Sequence, residues 1–392
     1  MRNASKIARI IGIGLVALLL VCCMELIGCA SQEESEIKDD PMLNISDTSG
    51  GVAATVNGVE IGENAITAYI ENFRSYQAMD DDDVWAQWMI DNSLSVEDVR
   101  SETIDYYVSQ ELLRQAADQE GISVDSSEVD EQIQAMKDTY DSDEEWLEAL
   151  ESSGSSEALM RELVELSLLQ EDLLELVAGD VSASDDDVLA MVDLYASEYN
   201  GTKRSSHILF DADDEETAQE VLDQINSGEL DFADAAEQYS IDTATAENGG
   251  DVGWDFQYTY ITEYQDTLDE LEVGEVSGLV TSSYGIHIIM CTDELDAPDE
   301  VTSLDDVSEG FVEYVRSVAD SNEQSEVFNE WMTEFEDESD IVIDDMPEGL
   351  SYYVDLEAYE ESLAEDEDEE ESDEEADETD SEDDSGDEDS GE

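Results

Sequence analysis

Two short apolar runs, Ser206-His207-Ile208-Leu209-Phe210 and Gly285-Ile286-His287-Ile288-Ile289-Met290, carry the only two histidines of this 392-residue chain. Both runs have the length and apolar density of buried strands, and each is bounded by turn-forming residues. A chain that otherwise avoids histidine, yet sets its two in apolar strands eighty residues apart, brings them together if those strands share a sheet. That requirement constrains the fold of everything between them.

From Lys203 to about Glu294 the pattern reads strand, helix over Ala218, Leu222 and Ile225 stopped by Gly228, helix over Phe232, Ala235, Ala236 and Tyr239, glycine-rich loop, short helix and paired strands. This is a compact α/β module of about 90 residues, large enough to fold alone. Before it the chain opens with a strand, Val52 to Val56, an Asn57-Gly58 turn, Val59 to Ile61, and a helix from about Glu63. Helical stripes follow: Ile104, Val108, Leu112 and Ala116 ended by Gly121; Val129, Ile133, Met136 and Tyr140; Leu159, Leu163, Leu166, Leu173 and Val177; and Val188, Val192, Tyr195 and Tyr199 behind Ser184. Ser142-Asp143-Glu144-Glu145 reads as a capping box before Trp146. Each stripe is narrow against its charged face, so the expectation is a loose helical assembly with clefts. Beyond Pro298, Phe311, Val315, Val318, Phe328, Trp331 and Phe335 predict one or two amphipathic helices and a short strand at Ile341 to Ile343. These are expected to return to the first helical region, because alone they would expose large aromatics.

The two ends carry different signals. Arg2, Lys6 and Arg9 precede a 15-residue apolar run from Ile10 to Met24, short for a membrane span and closed by Glu25. It reads as a cleaved signal; the alternative is an uncleaved anchor. Residues 29–51 are polar and acidic, a tether ahead of the first domain that is expected to be flexible. Residues 357–392 form an acidic tail expected to be disordered; over 365–392, 20 of 28 residues are acids, and self-repulsion without Leu, Ile or Val forbids a core. Asp and Glu number 111 against 12 Lys and Arg, so the body of the chain would repel phosphate and nucleic acid is excluded as a partner. High salt, solubility or basic clients would each suit such a surface. Once Cys22 and Cys23 leave with the signal, Cys29 and Cys291 remain. No disulfide framework or cysteine metal motif exists, and Cys291 reads as a small core residue at a strand end.

Five ordered blocks in the module resemble the parvulin family of peptidyl-prolyl isomerases. They are Ser206-His207-Ile208-Leu209; Gly228, Phe232 and Ala236 leading to Tyr239-Ser240-Ile241-Asp242; Gly249-Gly250-Asp251-Val252-Gly253-Trp254; Gly274-Glu275-Val276-Ser277; and Tyr284-Gly285-Ile286-His287-Ile288-Ile289. Val56 to Ile61 and the helices to Tyr199 look like the N-terminal region of SurA and PrsA proteins, and Leu26-Ile27-Gly28-Cys29 resembles the bacterial lipobox. With that lipobox in front, the whole chain resembles a PrsA-type extracytoplasmic foldase.

The resemblance implies an α+β fold: a mostly helical N- and C-terminal chaperone domain with an inserted parvulin α/β domain, a four-stranded antiparallel sheet with surrounding helices. It implies a lipoprotein signal peptide over 1–28, lipidation of Cys29, a helical chaperone region over 52–200, the isomerase domain over 201–296 and a C-terminal helical segment over 300–356. The implied partners are unfolded or partly folded exported proteins with X-Pro bonds, and the membrane through a lipid on Cys29, on its extracytoplasmic face. The implied activity is peptidyl-prolyl cis-trans isomerisation with a chaperone role, needing no cofactor and no metal. The alternative is a holdase whose parvulin domain is weak or inactive.

By the same resemblance His207 and His287 are the paired histidines at the floor of the site, and Asp242 is the acidic residue beside them. Val252, Tyr260 and Tyr264 align with the pocket that holds proline, and Ser282 lies near the peptide-facing strand. Tyrosine at two pocket positions departs from the family's usual methionine and phenylalanine, although an aromatic face suits a proline ring. Read one by one, the histidines are also consistent with hydrogen-bonded core residues, the His207, Asp242 and His287 trio with zinc ligands, and the tyrosines with cover over a core edge. Asp251 among its glycines reads as a turn. Asp211, Asp213, Asp214, Glu215 and Glu216 follow the first strand where phosphate-directed parvulins carry basic residues, which disfavours phosphoserine-proline clients.

Overall fold

The computed structural model describes residues 40–140, 142–256 and 260–363. The expectations for the signal, for Cys29 and for the acidic tail beyond Leu363 lie outside the described residues. Residues 357–363, expected disordered, instead lie in a helix that reaches Gln87 through the Tyr359 hydroxyl. Residues 40–51, expected flexible, pack on the first unit, where the Met42 carbonyl accepts from the Tyr107 hydroxyl at 2.9 Å. Chain contacts divide the protein into two units, residues up to 177 with those from 329 onward, and residues 178–328. No helix among the described residues is long and apolar enough to cross a membrane.

In the first unit, strands β1 (Val52–Val56) and β2 (Val59–Gly62) form a hairpin. Asn57 and Gly58 both take positive φ, 50° and 89°, as a tight two-residue hairpin turn requires. Six helices follow: α1 (Glu63–Tyr76), α2 (Asp82–Asp91), α3 (Val96–Glu120), α4 (Ser126–Lys137), α5 (Asp143–Ser152) and α6 (Glu157–Ala178). Ser95 and Asp98 make a reciprocal capping box at the start of α3, and Gly121 ends that helix in the left-handed conformation. At the start of α5, as the sequence suggests, Ser142 Oγ accepts from the Glu145 N–H at 3.2 Å. The core gathers Ile66, Ile70, Trp85, Met89, Ile104 and Tyr352, the last from the far end of the chain.

The second unit contains α7 (Asp185–Tyr199), then β3 (Lys203–Phe210), α8 (Glu215–Ser227), α9 (Phe232–Tyr239), β4 (Asp251–Trp254), α10 (Thr262–Glu270), β5 (Val280–Thr281) and β6 (Ile286–Glu294). Its sheet has the order β4-β3-β6-β5 with every pairing antiparallel, the four-stranded arrangement the resemblance implies. The two histidine-bearing runs are the adjacent central strands. Alternation gives the sheet two unlike faces. Ile208, Phe210, Ile286 and Ile288 pack against Ala218, Val221, Phe232 and Ala235 of α8 and α9. Ile289 and Cys291, on the opposite face with the histidines, pack with Tyr264 and Leu268 of α10. Burial pushes the Cys291 thiol up.

The 30-residue α11 (Glu309–Glu338) leads to β7 (Ile341–Ile343), which pairs with β1 and completes a three-stranded sheet of order β2-β1-β7 in the first unit. Residues 309–328 of α11 belong to the second unit, where Phe311, Val315 and Ala319 share a core with Val188 and Val192 of α7 and with Trp254. Met332 and Phe335 pack on the first unit's core. The helices on either side of 201–296 therefore supply part of the second unit's interior.

Candidate active site

Pairing β3 with β6 sets Leu209 opposite His287 and His207 opposite Ile289, so the two imidazoles lie diagonally on one face of the sheet. Their Nδ1 atoms are 3.2 Å apart, and both residues are buried. Two glycines permit the close backbone approaches around them. A Cβ on Gly250, at φ +76°, would stand 2.1 Å from the His207 carbonyl oxygen, and one on Gly285, at φ +140°, would stand 2.1 Å from that of Phe210. The loop after α9 is fastened to β3 twice: Leu209 N–H donates to Ser240 Oγ at 3.1 Å, and Ile241 N–H donates to the Leu209 carbonyl at 2.9 Å. That fastening delivers Asp242 to the edge of the imidazole pair.

Of the seven residues named from sequence, four form one hydrogen-bonded chain. His207 Nε2 lies 2.7 Å from Asp242 Oδ2, the two Nδ1 atoms meet, and His287 Nε2 lies 2.8 Å from Ser282 Oγ. The direction of the chain follows from its charges. Partial burial works against ionisation of Asp242, but hydrogen bonds from Thr245 and His207, the His207 charge and the Ala244 N–H outweigh it and hold the carboxyl below its ordinary value. Burial, with His207 acting in the same direction, lowers His287 to about 4. An ionised carboxylate only accepts, so His207 Nε2 carries a proton toward it. With His207 neutral, its Nδ1 accepts from His287 Nδ1–H, and His287 Nε2 accepts from the Ser282 hydroxyl.

Tyr264 lies beneath this chain. Its ring stands edge-on to both imidazoles, with centroids 5.9 Å from His207 and 5.7 Å from His287, and its hydroxyl meets Ser205 Oγ at 3.0 Å. It is only 4% exposed, so it floors the site, and burial pushes its phenol up. Half-buried Tyr260 packs against it at 4.8 Å, its own phenol also raised by burial. Val252 is the unmatched residue of a bulge, because Gly253 faces Ser205 while Asp251 faces Ser206. Bulges beside active sites re-aim side chains in this way. Asp251 is engaged by Arg204 through two bonds, of 3.0 and 2.5 Å.

Two participants escape the sequence reading. Thr245 Oγ1 donates to Asp242 Oδ2 at 2.7 Å, and Ser205 holds the Tyr264 hydroxyl. The spacing of Asp242 and Thr245 is the one signal that could have pointed to the first. The zinc arrangement does not fit the geometry. Asp242 and His287 engage different nitrogens of the His207 ring, so the three groups stand in line, not around one point.

The model of the PPIC-type PPIase domain matches residues 207–293, and that of the SurA-like N-terminal domain matches residues 1–174. The foldase protein PrsA of Oceanobacillus iheyensis is 32% identical over 198 residues, covering 50% of this chain and 63% of that relative. Foldase protein PrsA 4 of Bacillus cereus is 30% identical over 206 residues, covering 52% of this chain and 68% of the relative. The crystal structure of PrsA from Bacillus subtilis is 20% identical, covers 76% of this chain and 96% of its own, and superposes with a TM-score of 0.47.

Proposed function

This chain belongs to the PrsA family of foldases, and from that premise we propose that it is an extracytoplasmic foldase that speeds cis-trans interconversion of X-Pro bonds in exported polypeptides. A lipid on Cys29 would hold it to the membrane, the helical first unit would retain unfolded clients, and residues 201–296 would carry the isomerase site. The hydrogen-bonded chain Ser282–His287–His207–Asp242 supports the reading more than any other observation.

Rotation about a peptide C–N bond is opposed by about 18–20 kcal/mol of resonance, and an X-Pro bond relaxes over tens of seconds. A catalyst needs to grip the ring, exclude water and favour the twisted amide. Tyr260 and Val252 supply apolar surface for proline beside the imidazoles. As the amide twists, its carbonyl oxygen sheds negative charge. A carboxylate fixed nearby therefore disfavours the planar state more than the twisted one, and the chain of hydrogen bonds keeps Asp242 ionised and aimed. Asp242→Ala should lower kcat/KM about 100- to 1,000-fold in an NMR exchange assay with a prolyl peptide, the scale of removing one preorganised electrostatic group. Unchanged turnover would remove Asp242 from the mechanism, and a wild type no faster than water would sink the isomerase reading.

Client charge follows from the surface. All eight lysines and arginines among the described residues are engaged by acidic side chains or backbone carbonyls. Asp211, Asp213, Asp214, Glu215 and Glu216 are exposed just beyond β3. Lys-Pro peptides should therefore turn over about threefold or more faster than Glu-Pro peptides at low salt, and the gap should close at high salt. Equal turnover at low salt removes the preference.

A further inference from the structure

Helix α10 has little of its own to hold it in place. It is nine residues long, its N-cap Ile261 makes no side-chain bond, and its last turn contains no basic residue. Helices this short are marginal alone, and their terminal carbonyls need partners. Those partners come from β3. Lys203 Nζ donates to the carbonyls of Leu268, Asp269 and Leu271 at 3.3, 2.9 and 2.6 Å, placing all three ammonium protons at the C-terminal end of α10. Ser205, fully buried, bonds the Tyr264 hydroxyl, and His207 meets the edge of the Tyr264 ring. Residues 203, 205 and 207 share one face of the strand. The two register breaks along β3 leave Val252 and Thr292 unmatched on its neighbours, so β3 itself keeps strict alternation.

We propose that Lys203 and Ser205 are positioning residues of the site, fixing α10, and with it Tyr260 and Tyr264, at a set distance from the imidazole pair. The proposal rests on the isomerase reading above. Neither residue touches the bond that rotates. Lys203 acts through the C-terminal carbonyls of α10, and Ser205 acts through Tyr264, whose hydroxyl obliges β3 to present a small polar partner. Removing Ser205 Oγ strands a buried phenol, which must shift to find another acceptor, and the aromatic wall shifts with it.

The test uses the full chain and an Ala-Lys-Pro-Phe peptide, measuring kcat and KM by NMR exchange, the peptide dissociation constant, and thermal unfolding. Ser205→Ala and Lys203→Met should each raise KM about fivefold with kcat changed by less than about twofold, the scale of one stranded or lost polar contact. Lys203→Arg, which keeps a cation at the helix end, should recover part of the loss. Tyr264→Phe combined with Ser205→Ala should lose less than Ser205→Ala alone, because the pair is then removed together. A lowered melting temperature with unchanged KM in both single variants would overturn the proposal in favour of plain stability. If the wild type binds the peptide without turnover, the isomerase reading fails and the dissociation constants decide the anchors by the same ordering. A wild type that does neither overturns both.

Discussion

The first and second units each bury a polar network, and the two are built to opposite ends. In the first unit Glu63 and Arg100, 1% and 5% exposed, meet through two bonds of 3.0 and 2.7 Å. Arg100 donates once more to the Asp344 carbonyl at 3.2 Å, and Tyr352 closes on Glu63 at 3.5 Å. An arginine does not lose its proton at any ordinary pH, so the cation of that network is permanent. In the second unit the chain runs through two imidazoles, which change tautomer and charge, and its end groups Asp242 and Ser282 are only half-buried. A sealed network of fixed charge acts as a clasp. One that titrates and opens at its ends can meet a ligand.

Breaking the clasp should have the largest effect. Arg100→Met strands Glu63 and should cost the first unit about 3–5 kcal/mol by chemical denaturation while the second unit's turnover survives. A loss below about 1 kcal/mol would erase the contrast. Next comes acid. Because His287 is held at about 4 when folded against 6.5 when free, the unfolded chain binds the extra proton first between those values. Its contribution is thus full above pH 6.5 and lost as pH falls toward 4, up to about 3 kcal/mol. His287→Leu should flatten that part of the stability profile, and a profile as steep as wild type would place the titration elsewhere. The smallest effect is local: Thr245→Val removes one donor to Asp242 and should raise its carboxyl pKa, read by NMR titration. No rise would mean that His207 and the Ala244 N–H set the carboxylate without Thr245.

The module was legible because two signals with different periods agree. Strand alternation placed His207 and His287, while Gly228, Gly250 and Gly285 marked turns that tolerate little else. Asp242 was legible only through the resemblance of the Tyr239-Ser240-Ile241-Asp242 block to the parvulins. The position of Tyr264 was not legible: its role as floor depends on Ser205, whose importance is visible only when β3 and α10 are seen together. Nor could amphipathic spacing show that α11 divides its apolar positions between two cores, since Phe311 and Phe335 look alike in sequence. The expectation that the C-terminal helices return to the first region describes Met332 and Phe335 and not Phe311 or Val315.

Strand β7 pairs Ile341 with Val56 across nearly three hundred residues. During synthesis, therefore, the hairpin of β1 and β2 waits with one edge open while the whole second unit, contiguous in the chain, emerges and can close first. Contacts this distant in sequence form slowly. Until residues 341–343 have emerged, the chain holds a second unit whose residues are all present ahead of a first sheet that still lacks its third strand.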